Sequence, residues 1–409
     1  MPDVMRIRED FPILQKVREE DNKPLIYFDN TATSLTPVVV TETILEYYHN
    51  YGVNIHRGIY NLSKIASEEY ENAHDIVAKF IGATDRTELA FTKNTTEAIN
   101  IVAFGLEWSP GDEIIISAME HHSNFVPWQI IRDRFHVKLK FIPVKDDYKL
   151  DIEYLENNIT KNTKLVAITH VSNVLGTINP VKEIGKIAHD NGSMFLVDGA
   201  QSTPHMPVNV KDIGCDFFAF SGHKMLGPTG TGGLYISSDV IDKVNPYQYG
   251  GGMISSVTFE KSEWGEMPWR FEAGTPNIAG GIGLAAAVKY LEKIGMNWVR
   301  SHEKELIKRL VNGVSEIPNV ETYGTTDFEH RGGILPFNVK GLDAHEVALY
   351  LDQLGNVAVR SGLHCAQPLH NILKVSATVR ASLYIYNTKE EVDTFVDLLN
   401  EIATSFGQE

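Results

Sequence analysis

The chain has 409 residues, of which 43% are hydrophobic and 22% charged, with 37 Lys and Arg against 53 Asp and Glu for a net charge of −16. That length exceeds one ordinary core, which predicts two domains sharing an interface. The acidic balance argues against a nucleic-acid partner, because such binding needs clustered basic charge. Two cysteines, Cys215 and Cys365, exclude a disulfide framework and four-cysteine zinc or iron–sulfur sites, and no metal is expected.

No run approaches the roughly 18 apolar residues that cross a bilayer, and the start MPDVMRIREDF lacks the apolar core of a signal peptide. The sequence therefore reads as cytoplasmic, with no membrane partner. A helix is predicted over residues 10–20, then a strand over 25–28 ending in Asp29-Asn30-Thr31-Ala32-Thr33. Small residues in such a loop let backbone approach a ligand. Helices follow over 37–51 and 63–81, separated by the polar loop Asn54-Ile55-His56-Arg57-Gly58.

A strand over 89–92 runs through Asn94-Thr95-Thr96-Glu97 into a helix. Backbone N–H groups and hydroxyls at a helix start make an anion site, although a Thr cap with an acid in the first turn needs no ligand. The strand over 112–117 ends in Glu120-His121-His122-Ser123-Asn124. Adjacent residues of extended chain point to opposite sides, so His121 and His122 need not share a ligand. A strand over 164–169 delivers Asn173, whose amide suits a substrate carboxylate or a cofactor oxygen, and a helix over 181–191 follows.

Two apolar runs then stop on polar residues: 194–197 at Asp198, within Asp198-Gly199-Ala200-Gln201-Ser202, and 217–220 at Ser221-Gly222-His223-Lys224. The strand–helix alternation over 89–233 predicts an α/β protein with a mostly parallel sheet, which presents strand C-terminal ends to a ligand. A Lys, a carboxylate and hydroxyl or amide donors together are what pyridoxal phosphate requires: a Schiff-base amine, a ring-nitrogen partner and phosphate ligands. A lone Lys in a glycine-rich turn would be a solvated surface group, but DGAQS and SGHK on successive strands favour the cofactor. With that lysine in place, Thr95 and Thr96 read as phosphate ligands, and Ser221 and His223 lie beside the phosphate.

Cys215, just before an apolar strand, reads as a packing residue. Residues 258–268 form a polar loop or hairpin, helices run over 281–294 and from about 298, and strands over 333–339 and 357–360 suit a small α/β lobe. Cys365 lies in Arg360-Ser361-Gly362-Leu363-His364-Cys365-Ala366-Gln367-Pro368, a polar, turn-rich loop in which a thiolate nucleophile is the better reading than a packing cysteine. Arg380 offers the bidentate fork that suits an amino-acid carboxylate.

From about residue 11 to the C-terminus these motifs stand in the order of the class V aminotransferase branch of the fold-type I pyridoxal-phosphate enzymes, and they resemble its SufS-type (group II) cysteine desulfurases. The resemblance implies a large cofactor-binding domain over 26–289 and a smaller C-terminal α/β domain over 290–409, with residues 1–25 packing on the latter. It implies a homodimer that converts L-cysteine to L-alanine, leaves a persulfide on Cys365, and supplies an acceptor or scaffold protein of the Suf type for iron–sulfur cluster assembly. Lys224 would bind the cofactor and act as base, with Asp198 on the ring nitrogen, Gln201 on the phenolic oxygen and His121 stacked on the ring. Thr275, in Phe271-Glu272-Ala273-Gly274-Thr275-Pro276-Asn277, would reach the phosphate of the partner subunit. Arg380, Asn173, Arg360, His56 and Ala32 would surround the substrate. The family carries His where this chain has Leu363 and Tyr60. The alternatives within the resemblance are a selenocysteine lyase acting on L-selenocysteine and another class V aminotransferase-type enzyme.

Overall fold

The computed structural model describes residues 2–405. The expected helix over 10–20 is absent. A helix instead spans Val4–Glu9, where the Asp3 carboxylate accepts the Met5 N–H, and a 3-10 turn spans Pro12–Gln15. Pro12 has no N–H to continue a helix, and the turn buries Phe11 and Leu14 alongside Ile7. Strand β1 (Ile26–Tyr27) then pairs in parallel with β13 (Val357–Ala358), far along the chain.

Seven strands make the main sheet: β2 (Leu89–Thr92), β3 (Glu113–Ser117), β4 (Lys138–Ile142), β5 (Thr163–Thr169), β6 (Met194–Asp198), β7 (Phe217–Ser221) and β8 (Gly232–Ile236), in the order β2-β8-β7-β6-β5-β3-β4. Every pairing among β7, β6, β5, β3 and β4 is parallel, and β8 runs antiparallel to both its neighbours. Alternate residues serve opposite faces: Ile115, Val166 and Val197 join one apolar cluster, and Ile114, Ile116, Leu165 and Leu196 another. A sheet buried on both faces explains why these strands read as continuous apolar runs. Because β2 is antiparallel to β8, which is antiparallel to β7, the C-terminal ends of β2, β7, β6, β5 and β3 share one edge. That edge carries the polar motifs.

A hairpin, β9 (Ile254–Val257) with β10 (Ser262–Trp264), occupies the stretch expected to be a loop or hairpin. A second sheet of four antiparallel strands has the order β11 (Val320–Thr322), β12 (Ile334–Val339), β15 (Thr378–Ser382), β14 (Arg360–Gly362). It contributes to a separate apolar cluster that runs from Leu306 to Ala403 and takes in Ile26 and Phe28. The strand expected over 357–360 is split, with β13 pairing with β1 and β14 with β15. Residue 290 lies inside the helix Ile278–Ile294, which ends at Gly295 (φ +90°) before the helix Met296–Ser315. Among the described residues no helix is long and apolar enough to cross a membrane.

Candidate active site

The C-terminal edge of the main sheet and the β14–β15 region enclose a cavity of about 320 Å³ lined by Thr95, Thr96, His121, Asn173, Asp198, Gln201, Ser221, His223, Lys224, Arg360, Cys365, Arg380 and Ala32. Residues more than 300 positions apart thus meet in one volume, at the low end of the range for ligand pockets.

Lys224 closes a 3-10 turn, Gly222–Lys224, directly after β7. Only glycine fits at 222, since a Cβ there would stand 2.2 Å from Thr231 Oγ1. The turn is also tied to the β1 loop: Thr33 Oγ1 and Ser34 N donate to the His223 carbonyl at 2.9 and 3.0 Å. Burial pushes the Lys224 ammonium down to about 8, against the pull of the Asp198 charge. Asp198, the last residue of β6, is 3% exposed and accepts the Ala200 N–H at 2.9 Å. Burial raises its carboxyl, while that N–H and the Lys224 charge act the other way.

The helix Thr95–Gly105 points its N-terminus at the same volume. Thr95 N–H donates to Ser221 Oγ at 2.9 Å, the Thr95 and Ser221 hydroxyls lie 2.7 Å apart, and Thr96 and Ser123 hydroxyls lie 2.7 Å apart. A cluster of hydroxyl donors at a positive helix end is an anion site. His121 Nδ1 accepts the Ser123 N–H at 3.0 Å, which puts the ring proton on Nε2. Burial, reinforced by the Lys224 charge, lowers this imidazole to about 3, so it is neutral. The preceding residue, Glu120, is 1% exposed and receives Thr169 N–H, Ser117 Oγ and Asn124 Nδ2, and burial raises its carboxyl to about 8.

Gln201 Nε2 donates to the Thr31 carbonyl at 2.9 Å, and Asn173 Nδ2 to the His364 carbonyl at 2.8 Å. The side-chain oxygens of both amides, and Arg380 Nε, are buried without a hydrogen-bond partner among the described residues. Buried polar atoms are seldom left so, and these three belong to residues on the cavity wall. Arg380, 2% exposed, donates to the Asn173 carbonyl at 3.0 Å and reaches Asp29 at 3.4 Å, while Arg360 grips Asp29 at 3.0–3.2 Å. One carboxylate thus orders two guanidinium groups. Asp29 carries no local signature of this role, because its partners lie 331 and 351 positions away.

Cys365 is exposed, whereas Cys215 is buried with its thiol pushed up by burial. His364 and Cys365 both take left-handed backbone angles, φ +49° and +55°, a conformation that costs a non-glycine residue about 1–2 kcal/mol. Holding them, the His122 N–H donates to the Cys365 carbonyl at 2.7 Å, and His122 Nε2 accepts the Gln367 N–H at 3.2 Å.

Two expected residues lie elsewhere in the single chain. His56 is exposed, with its ring 4.3 Å from that of Trp269 and a 3.8 Å contact to Glu71. Thr275 is exposed on a different cavity, beside Lys93 and Glu97. Its segment is anchored by buried Glu272, which receives Tyr70 Oη and the Phe91 N–H, each at 2.7 Å.

A lysine and a carboxylate at adjacent strand ends, facing a helix N-terminus, define an α/β enzyme built for an anionic cofactor. The aminotransferase class-V family model matches residues 26–395, and the chain belongs to that family. A cysteine desulfurase of Haloferax volcanii is 50% identical over 412 residues, covering 97% of this chain and 96% of that one. The apo structure of cysteine desulfurase from Thermococcus onnurineus NA1 superposes with a TM-score of 0.94 at 46% identity, covering 99% of both chains. The structure of C-DES with glycine covalently linked to its PLP cofactor gives a TM-score of 0.83 at 26% identity, covering 100% of both chains.

Proposed function

We propose that this chain is a pyridoxal-phosphate-dependent cysteine desulfurase that converts L-cysteine to L-alanine and retains the sulfur as a persulfide on Cys365. The observation that carries the reading is the convergence of Lys224, Asp198, Arg380 and the exposed thiol of Cys365 on one cavity. The cofactor fits this chain. The unpartnered Gln201 oxygen, the hydroxyl cluster at the helix N-terminus and a lysine made nucleophilic by burial answer its polar groups. Lys224 would hold it covalently, Asp198 its ring nitrogen, Gln201 its phenolic oxygen and His121 its ring face. Thr95, Thr96, Ser221 and His223 would hold its phosphate. Bound there, pyridoxal phosphate supplies an electron-accepting ring that stabilises negative charge at the substrate α-carbon.

The chain's own residues do the rest. Arg380 and Asn173 bind the substrate carboxylate, with Arg360 and Ala32 beside it. Lys224, free-base to a useful degree near neutral pH, takes the α-proton and returns protons to carbon. The Cys365 thiolate attacks the substrate sulfur: an S–S bond forms as the Cβ–S bond breaks, and the electron pair passes to carbon, which is protonated to give alanine. A homodimer accounts for Thr275 and His56 lying outside the cavity of their own chain, since each would complete the site of the second copy. We further propose two lobes, 26–289 and 290–409 with segment 1–25 on the second; ties from Arg18 and Lys23 to the carbonyls of residues 352–354 support that packing. The persulfide would pass to an acceptor or scaffold protein of the Suf type for iron–sulfur cluster assembly. The test is the intact mass of the purified protein after brief exposure to L-cysteine without reductant. Added sulfur that reductant removes, and that Cys365→Ala lacks, is expected. A cofactor-loaded protein that gains no sulfur and forms no alanine would overturn the reading.

A further inference from the structure

A buried chain of three polar side chains lies behind the Cys365 loop; His364 reaches the cavity wall, whereas Thr378 and His370 lie outside the machinery described above. His370 and Thr378 are 0% exposed and His364 is 8% exposed. His370 Nδ1 lies 3.1 Å from the Ala366 carbonyl, and its Nε2 lies 3.2 Å from Thr378 Oγ1. His364 Nε2 lies 2.9 Å from the same hydroxyl and 3.1 Å from the Thr378 carbonyl.

Donor and acceptor roles follow from these partners. A carbonyl only accepts, so His370 Nδ1 carries the proton and its neutral Nε2 is an acceptor. The Thr378 hydroxyl must therefore donate to His370 and, having one proton, accept from His364. His364 Nε2, which also faces a carbonyl, carries the proton that this requires. Burial lowers both imidazoles, in agreement with neutral rings. The chain runs in one direction, from His364 through Thr378 and His370 to the Ala366 carbonyl. Its two ends are the residues on either side of Cys365.

We propose that Thr378 and His370 are positioning residues for the sulfur nucleophile, closing a hydrogen-bonded brace behind Cys365 that fixes the loop from which its thiol works. The brace accounts for two consecutive non-glycine residues in left-handed backbone, a conformation that persists only where its surroundings over-determine it. It also couples nucleophile to substrate site, because Thr378 stands two residues before Arg380 on β15. The proposal rests on Cys365 being the nucleophile of the desulfurase reading.

The test compares Thr378→Val, which keeps the shape and deletes the hydroxyl, with Thr378→Ser, which keeps the hydroxyl. Thr378→Val is expected to slow alanine formation about tenfold, the equivalent of one buried hydrogen bond. KM for L-cysteine should stay within about twofold and the cofactor absorbance unchanged, because neither residue touches substrate. Amide exchange across residues 362–370 should quicken by about the same factor, and Thr378→Ser should restore both readouts. A Thr378→Val protein with wild-type kcat and wild-type exchange overturns the proposal, as does a serine variant impaired to the same degree. If the wild-type protein forms no alanine from cysteine, the desulfurase reading fails, and the exchange comparison alone decides whether the brace holds the loop. Should Thr378→Val not fold, His370→Phe breaks the chain at its other end and is read in the same two ways.

Discussion

Arg380→Lys isolates the fork that the proposed substrate carboxylate would meet. Arg380 spends one terminal nitrogen on the Asn173 carbonyl at 3.0 Å and turns the other to Asp29 at 3.4 Å, leaving Nε without a partner among the described residues. Burial lowers the guanidinium only to about 10, so it keeps its charge at neutral pH. A lysine ammonium is a point charge that can replace one of these contacts but not the planar set. Losing one charge-assisted hydrogen bond to the carboxylate is worth about 1.5–3 kcal/mol, a rise in KM for L-cysteine of about 10- to 100-fold. Because the same contact exists before and during chemistry, kcat should change by less than about threefold. The assay is steady-state alanine formation from L-cysteine and from its methyl ester, which lacks the negative charge. The wild-type protein should prefer the free acid, and Arg380→Lys should lose most of that preference. A variant with normal cofactor absorbance and undiminished preference for the free acid would show that Arg380 does not bind the carboxylate.

Glu120→Gln should destabilise the apo-protein by about 1–3 kcal/mol, read as a lower denaturation midpoint. Whichever way the new amide turns, its NH₂ meets a donor, either Asn124 Nδ2 or the Thr169 N–H. The raised Glu120 carboxyl stabilises the fold below its ordinary value of 4.5, and that contribution fades as pH climbs through about 8. The deficit of the variant should therefore narrow over that interval, and a constant deficit would contradict the assignment. The rate at which pyridoxal phosphate bonds to apo-protein, followed by absorbance, should climb with pH and level off above about 8, where the depressed Lys224 is free amine. A rate still climbing toward the ordinary lysine value, or one that Lys224→Ala leaves intact, would remove Lys224 from that role.

Much of this architecture is legible along the chain, for local reasons. A strand buried on both faces must be apolar throughout, so Ile114–Ile116, Leu165–Ile168 and Phe217–Phe220 announce themselves, and the first polar residue after each run marks the edge where a ligand binds. Asp198 and Ser221 are legible on that basis, as is the polar turn that carries Lys224, whereas the need for glycine at 222 shows only in the approach of Thr231. At the N-terminus Pro12 and the burial of Phe11 outweigh a helical pattern. β4 is no continuous apolar run either, because its sequence KLKFI lies at a sheet edge with its first residue exposed and alternates polar with apolar residues.

The sequence alone determined the parallel sheet and the identity of its cavity-facing strand ends, because both follow from hydrophobic runs and the residues that interrupt them. Tertiary structure alone decided how the second sheet delivers Arg360, Cys365 and Arg380 to that edge. It also decided that Asp29 grips two arginines and that His364, Thr378 and His370 form one chain behind the thiol. Those contacts join residues from 4 to 351 positions apart, and most of them leave no local signature. A carboxylate or a hydroxyl in a loop reads the same whether it faces water or a buried guanidinium, and only the folded path of the backbone distinguishes the two.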